Sequence, residues 1–182
     1  LERTAFNTLS FLWCALFAGF YLLLQQKNTT FSTLAIVAIL FRFIFLFSTP
    51  NLSQDFYRFI WDGRMLLNGF NPYLYLPENL IAQQLQPIAQ ARELYQGMGV
   101  LNGSHYTNYP PLNQLCFFIA ALFAGKSILG TTIALRMIII SADIGILYYG
   151  KKILAHLNIP VKNIFWYFLN PFIIIEMTGN LH

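Results

Sequence analysis

Hydrophobic and polar positions divide the chain into long apolar runs and one long polar segment. The runs cover residues 5–24, 31–47, 111–124, 129–149 and 164–176, and the polar segment covers residues 48–110. About 20 apolar residues in a helix are enough to cross the hydrocarbon core of a membrane. No stretch shows the alternating period of a β-strand. The pattern therefore predicts an all-α integral membrane protein with several crossing helices and short helices in the polar loop.

The composition supports a membrane protein and excludes some partners. Of the 182 residues, 57% are hydrophobic and only 10% are charged, whereas a soluble domain has about 25% charged residues. The net charge of +4 is small and scattered, so nucleic acid is not an expected partner and membrane lipids are. The two cysteines, Cys14 and Cys116, lie in apolar runs, which favours membrane-buried free thiols over a disulfide or a metal pair.

The distribution of charged residues does not determine the orientation of the chain in the membrane. Lys151, Lys152 and Lys162 predict a cytoplasmic loop. If all five runs cross, the loop 48–110 is then cytoplasmic too, unless the short run 111–124 crosses only in part. The chain starts without a methionine and ends within a polar cluster that follows the last apolar run, so we expect it to be the N-terminal part of a longer protein.

The polar loop opens with a stretch rich in charged and aromatic residues. Ser53 is a plausible N-cap for a helix, and the spacing of Asp55, Arg58 and Asp62 places them on one stripe of that helix. Such a helix is expected to lie at the membrane surface with its carboxylates facing water. Gly63 then predicts a break in the helix.

The charged stripe can support sugar transfer from a lipid phosphate. That reaction needs a base for the acceptor hydroxyl and positive groups near the leaving phosphate. Asp55 or Asp62 could be the base, and Arg58 and Arg64 could bind the phosphate. The plainer alternative is a surface ion-pair network that fixes the loop, and the residues alone leave both interpretations open.

Other polar residues suggest further sites. We expect Arg42 to extend its charge to the membrane interface. Arg136 and Asp143, seven residues apart on one helical face, predict either polar contacts between helices or a wall of a phosphate pocket. His105 and His182 are candidates for a polar site. The dispersed histidines give no metal-ligand spacing, so no cofactor is predicted, although a divalent metal stays open.

Several ordered motifs resemble one enzyme family. Asp55-x-Tyr-Arg-Phe-x-Trp-Asp-Gly-Arg64, followed by Gly69-x-Asn-Pro-Tyr73, resembles the first-loop signature of bacterial glycosyltransferases of the GT-C superfamily. More narrowly, these motifs are similar to those of the polyprenyl-phosphate-mannose-dependent mannosyltransferases and their uncharacterised relatives. Tyr109-Pro-Pro111 entering a helix, and Glu176-x-x-Gly-Asn-x-His182 after Asn170-Pro171, are similar to that group as well.

The resemblance implies a fold, a location and roles for individual residues. It implies a multi-spanning GT-C-like helical bundle in the bacterial inner membrane, with a long catalytic loop on the extracytoplasmic side and an extra N-terminal helix. Asp55 would be the catalytic base. The remaining candidates would bind the substrate or hold the loop; they are Arg58, Asp62, Arg64, Asn71, Tyr73, His105, Tyr109, Arg136, Glu176, Asn180 and His182.

The expected function is transfer of a hexose, with mannose as the expected sugar, from a polyprenyl-phosphate donor to a lipid or glycan acceptor. The alternatives are a transporter or flippase of lipid-linked sugars and a non-catalytic membrane scaffold. The seven-residue spacing of Asp55 and Asp62 differs from an Asp-x-Asp pair, which argues weakly against a dedicated metal site. The residues do not determine the acceptor, the linkage or the oligomeric state.

Overall fold

The computed structural model describes residues 4–181, and these residues contain helices but no strand. The all-α prediction is therefore confirmed for this part of the chain. The α-helices are α1 Phe6–Gln25, α2 Phe31–Ile44, α3 Asp55–Leu67, α4 Pro77–Ala82, α5 Ala91–Gly103, α6 Pro111–Ala124, α7 Ile128–His156 and α8 Phe165–Phe168. Short 3-10 helices cover Pro72–Leu74 and Val161–Ile164, and a π-helix covers Ile173–Gly179.

The first four apolar runs correspond to α1, α2, α6 and α7. Among the described residues, only α1 and α7 are long and apolar enough to cross a membrane by themselves, whereas α2 and α6 have 14 residues each. The basic loop predicted to start at Lys151 begins later, because α7 continues to His156. Lysine is a good helix former, so the two lysines extend the helix instead of ending it.

The fifth apolar run is not one continuous helix. α8 ends at Phe168, and the π-helix starts at Ile173. Pro171 lies between them, where it lacks a backbone N–H donor and disfavours helical geometry in the residue before it. Asn170 stabilises the new start, since its side-chain oxygen accepts a hydrogen bond from the backbone N–H of Phe172 at 3.0 Å.

The chain divides into two compact units. One comprises residues 4–52 together with residues 139–180, and the other comprises residues 53–138 with Leu181. The core of the first unit is an apolar cluster from α2 and the α8 region, made of Leu34, Ala38, Phe165, Phe168 and Leu169. α1 contributes no fully buried residue, so its apolar surface is available to lipid or to another protein segment.

A buried ion pair holds the first unit together. Arg42 Nε donates to Asp143 Oδ2 at 2.6 Å, and Arg42 Nη1 donates to the carbonyl oxygens of Ala38 and Phe168 at 3.0 and 2.8 Å. The guanidinium carbon also lies 4.2 Å from the centre of the Phe168 ring, a cation–π distance. The predicted interfacial position of Arg42 is wrong, because its side chain is fully buried. Asp143 does connect helices, and its partner is Arg42 of α2.

The second unit is built around α3, which packs against α6 and α5. Its core contains large side chains that are almost fully buried: Phe56, Ile60, Trp61, Met65, Leu94, Met98 and Phe117. The ring of Phe59 stacks on Phe117 with centres 4.5 Å apart and an interplanar angle of 10°. Because buried residues lie on all sides of α3, the helix is a core element of this unit.

The ends and the middle of α3 differ from the sequence expectation. The helix starts at Asp55, one residue after its N-cap Gln54. Ser53 still contributes, since its Oγ accepts a hydrogen bond from the backbone N–H of Asp55 at 3.2 Å. Gly63 does not break the helix. It lies where α3 meets α6, and a Cβ added there would clash with the backbone carbonyl of Phe117.

The close approach at Gly63 predicts a large loss of stability in Gly63→Ala. The added methyl group meets backbone that cannot rotate away, so α3 and α6 must separate; overpacking of this kind costs about 1–3 kcal/mol or more. Gly145→Ala in α7 is a matched control, because nothing lies within 4 Å of the added Cβ and alanine favours the helix. Thermal unfolding in detergent should show a lower Tm for Gly63→Ala only. Equal Tm values for the two variants would contradict this packing.

The buried ion pair predicts strong coupling between Arg42 and Asp143. Asp143→Ala leaves the buried guanidinium without its carboxylate, which is expected to cost about 3–5 kcal/mol. The double variant Arg42→Met, Asp143→Leu removes both charges and should recover most of that loss. Thermal unfolding of the two variants measures the difference. If the double variant is no more stable than Asp143→Ala, the ion pair does not carry the coupling.

Candidate active site

Asp55 lies in the first turn of α3, with its side chain half-buried. Its Oδ1 accepts a hydrogen bond of 2.7 Å from Asn102 Nδ2. A carboxylate at the N-terminus of a helix is favoured by the helix dipole and by the free backbone N–H groups there. The position and the amide partner together fix the orientation of this carboxylate.

Arg58 and Asp62 form a buried ion pair one turn further along α3. Arg58 Nε donates to Asp62 Oδ1 at 2.9 Å, and both side chains are at least 97% buried, with 3% and 0% exposure. Arg58 Nη1 also donates to the carbonyl oxygens of Asn102 and His105 at 2.6 and 2.9 Å. The prediction of a surface helix with two water-facing carboxylates is therefore wrong for Asp62. A buried carboxylate needs a charged partner and further hydrogen bonds, and Arg58 supplies the first.

Gln114 of α6 completes the shell around Asp62. Its Nε2 donates to Asp62 Oδ2 at 2.8 Å and to Thr107 Oγ1 at 3.1 Å. Both oxygens of the Asp62 carboxylate therefore have a donor. The arrangement connects α3, α6 and the segment before α6, so Asp62 has a structural environment that differs from that of Asp55.

A polar cleft of about 480 Å³ lies beside this network in the second unit. Amides, hydroxyls and aromatic rings dominate its wall, which is formed by Arg58, Leu101, Asn102, His105, Tyr106, Thr107, Asn108 and Tyr109. Asp55 is not one of the wall residues, but its partner Asn102 is. The Asp55 carboxylate thus lies one hydrogen bond away from the cleft wall.

Tyr109 is held in the cleft wall by two phenylalanines. Its ring packs edge-on against Phe59 and Phe117, with centres 4.9 and 5.6 Å apart. Burial, together with the charges of Asp55 and Asp62, raises the pKa of Tyr109 to about 12, and the charge of Arg58 opposes this shift. Tyr109 therefore stays a neutral phenol at physiological pH.

Three other predicted residues stabilise the loop. Arg64 Nη1 donates to the carbonyl oxygen of Ala89 at 2.8 Å and to Gln90 Oε1 at 3.1 Å; burial lowers the pKa of Arg64, and Glu93 opposes that shift. Asn71 accepts a 3.1 Å hydrogen bond from the backbone N–H of Tyr73. The Tyr73 hydroxyl donates to the Tyr109 carbonyl oxygen, which connects the 3-10 helix to the cleft segment.

The remaining candidates lie in different places. His105 lines the cleft with an exposed side chain, and its Nδ1 lies 2.7 Å from the carbonyl oxygen of Leu101. Arg136 is fully buried on α7. Glu176 and Asn180 belong to the first unit, where Asn180 Nδ2 donates to Glu176 Oε2 at 3.3 Å. His182 lies outside the described residues.

Two residues of the site were not found from the sequence. Asn102 was not among the predicted site residues, although its side chain binds Asp55 and its backbone carbonyl binds Arg58. Gln114 offers a usable signal, because an amide inside the apolar run 111–124 needs a buried partner. Neither residue's partner could be read from local spacing, since the contacts join positions 47 and 52 residues apart.

The described residues offer no obvious metal site. Within residues 4–181, no three His, Cys, Asp or Glu side chains lie close enough together to hold an ion. The prediction that the protein uses no cofactor is not tested by this geometry and stays a prediction.

Comparisons with known proteins identify the family. Residues 3–182 match the family described as alpha-(1->6)-mannopyranosyltransferase, N-terminal domain. The chain is also 21% identical over 138 residues to alpha-(1->6)-mannopyranosyltransferase A of Mycobacterium tuberculosis; the alignment covers 75% of this chain and 25% of that protein. The chain thus spans about a quarter of the length of this curated relative. No solved structure gives a significant match. Because the family match extends over nearly the whole chain, the chain belongs to the alpha-(1->6)-mannopyranosyltransferase N-terminal domain family.

Proposed function

We propose that this chain is part of a membrane mannosyltransferase that moves mannose from a polyprenyl-phosphate donor to a lipid or glycan acceptor. Membership of the mannopyranosyltransferase family supports the reaction class. The two helices that are long and apolar enough to cross a membrane support an integral membrane protein. In this proposal the protein is a multi-pass GT-C-like bundle of the bacterial inner membrane, with the loop 48–110 on the extracytoplasmic side.

The observation that carries the proposal is the placement of Asp55 beside a polar cleft. A carboxylate fixed by an amide, one hydrogen bond from the wall of a cavity, is arranged as a general base. In the reaction, Asp55 takes the proton of an acceptor hydroxyl. The hydroxyl oxygen forms a bond to the anomeric carbon of the donor, and the bond from that carbon to the phosphate oxygen breaks. Polyprenyl phosphate leaves with the electron pair.

Asp62 is the weaker candidate for the base. Both of its oxygens accept hydrogen bonds, from Arg58 and Gln114, and its side chain is fully buried. A base must reach the proton that it removes, and Asp62 has no such access. We assign it the role of holding Arg58 and the cleft segment in place.

An apolar groove in the first unit fits the lipid part of the donor. The groove has a volume of about 710 Å³ and is lined by apolar residues of α1, α2 and the segment 169–175. A polyprenyl chain is a hydrocarbon, and burying it against such a surface is favourable by about 25 cal/mol per Å². This groove supports a lipid-linked sugar over a water-soluble nucleotide sugar as the donor.

The two arginines predicted to bind the donor phosphate already have partners in the structure. Arg58 and Arg64 are already bound to acceptors within the loop. Arg136, Glu176, Asn180 and His182 remain predictions as substrate-binding residues. Asn71 and Tyr73 act on the loop conformation in this proposal, since their contacts lie within the loop and with the cleft segment.

The catalytic role predicts the behaviour of Asp55→Asn. The amide cannot accept the hydroxyl proton, so transfer in the intact membrane protein should fall by about 10²–10⁴-fold or more, while membrane insertion and donor binding persist. Radiolabelled mannose transfer to the acceptor measures the loss. Glu78→Gln is the matched control, because Glu78 is an exposed carboxylate of the same loop on α4, and it should keep normal transfer.

The assay also separates the transferase from a flippase. Movement of labelled lipid across the membrane without any new glycosidic bond would exclude the transferase. Turnover of Asp55→Asn within about twofold of the parent protein would exclude Asp55 as the base.

The lipid groove predicts the class of donor. Purified polyprenyl-phosphate mannose should support transfer in proteoliposomes, whereas GDP-mannose alone should not, because it has no hydrocarbon chain to occupy the groove. Product formation with each donor measures this difference. A control with both donors together should match the lipid donor alone, and efficient use of GDP-mannose by the purified protein would contradict the proposal.

A further inference from the structure

The charges around the polar cleft argue against an anionic ligand. Arg58 is the guanidinium of the cleft wall, and it is bound to Asp62 and to two backbone carbonyl oxygens. Asp55 is bound to Asn102, which is also a wall residue. These three groups are two carboxylates and one guanidinium, so their charges sum to one negative charge. A phosphate in this cleft would be repelled by that sum and would meet an arginine whose charge is already compensated by Asp62.

The phenol of Tyr109 lies close enough to Asp55, Asp62 and Arg58 for their charges to act on it. After burial, the charges of Asp55 and Asp62 raise the pKa of its phenol, and the opposing effect of Arg58 does not cancel them. The raised pKa means that negative charge at the Tyr109 oxygen is disfavoured by its surroundings. The oxygens of a bound phosphate would be disfavoured at this wall for the same reason.

The uncharged groups of the wall match a neutral sugar. Tyr106 and Tyr109 offer aromatic rings, and Thr107 and Asn108 offer a hydroxyl and an amide. The volume of about 480 Å³ lies within the range of about 300–1,000 Å³ of small-molecule pockets.

We propose that this cleft binds the neutral terminal pyranose of the acceptor and not the phosphate of the donor. The proposal rests on the transferase function and specifies which substrate the cleft takes. The amides and tyrosines of residues 102–109 hold the sugar next to the hydrogen bond between Asn102 and Asp55. The acceptor hydroxyl is then close to the base, and the donor phosphate binds outside this cleft.

Substitution of exposed wall residues tests the assignment through kinetics. Tyr106→Ala and Asn108→Ala should each raise the KM for the acceptor about tenfold, the size expected for one lost contact, and should leave the KM for the lipid donor unchanged. Tyr75→Ala and Asn79→Ala are matched controls, because both residues are exposed positions of the same loop that do not line the cleft. These controls should change neither KM value.

Two acceptors distinguish the source of the sugar. A water-soluble mannobioside represents a glycan end, and an alkyl mannoside represents a glycolipid. Both should show the same increase in KM in the two wall variants. A lower KM for the alkyl mannoside in the parent protein identifies a lipid-borne acceptor, and equal KM values identify a glycan.

Direct binding separates failure of this assignment from failure of the transferase function. Saturation-transfer NMR on the intact protein in detergent should detect methyl α-D-mannopyranoside, and Tyr106→Ala should weaken the signal, whether or not transfer is observed. Inorganic phosphate should not compete. The assignment is overturned if phosphate displaces the mannoside, if the wall variants leave its binding unchanged, or if they raise the KM for the donor instead.

Discussion

The buried ion pair between Arg58 and Asp62 is the interaction on which the second unit depends. Two charges inside a protein are tolerated only when each one is paired and its remaining polar atoms are hydrogen-bonded. Asp62 meets this requirement with Arg58 and Gln114, and Arg58 meets most of it with the carbonyl oxygens of Asn102 and His105. The need to satisfy this pair thus fixes the loop segment that forms the cleft wall. Arg58 thereby links α3 to the segment that forms the cleft wall.

The same network separates the two aspartates into different roles. Asp55 and Asp62 are seven residues apart on one helix, yet one is half-buried at the helix start and the other is fully enclosed. Environment decides what a carboxylate can do, because a base needs access to its substrate and a structural anion needs donors. Asn102 joins the two environments, since its side chain binds Asp55 and its backbone binds Arg58.

The first unit uses buried charge in a similar way. Arg42 and Asp143 are 101 residues apart in the chain and join α2 to α7, while Phe168 adds a carbonyl oxygen and an aromatic ring. Packing of apolar side chains alone defines the relative position of two helices poorly, whereas the hydrogen bonds of an ion pair require one geometry. Among the described residues, a buried charged pair in each unit thus specifies how helices of that unit meet, and apolar side chains fill the space around it.

The sequence by itself determined the helical class and the positions of four of the apolar helices, because these follow from the length of apolar runs and the periodicity of side chains. The resemblance of an ordered motif to a known enzyme family selected Asp55 as the candidate base. It also indicated the family, which the match over residues 3–182 confirms. Tertiary structure alone decided that Asp62 is buried, that Gly63 packs against α6 and that Arg42 pairs with Asp143. The tertiary structure also pairs Asn102 with Asp55 and Gln114 with Asp62. Such contacts join residues far apart in the chain, and local spacing contains no information about which distant side chain will satisfy a buried charge.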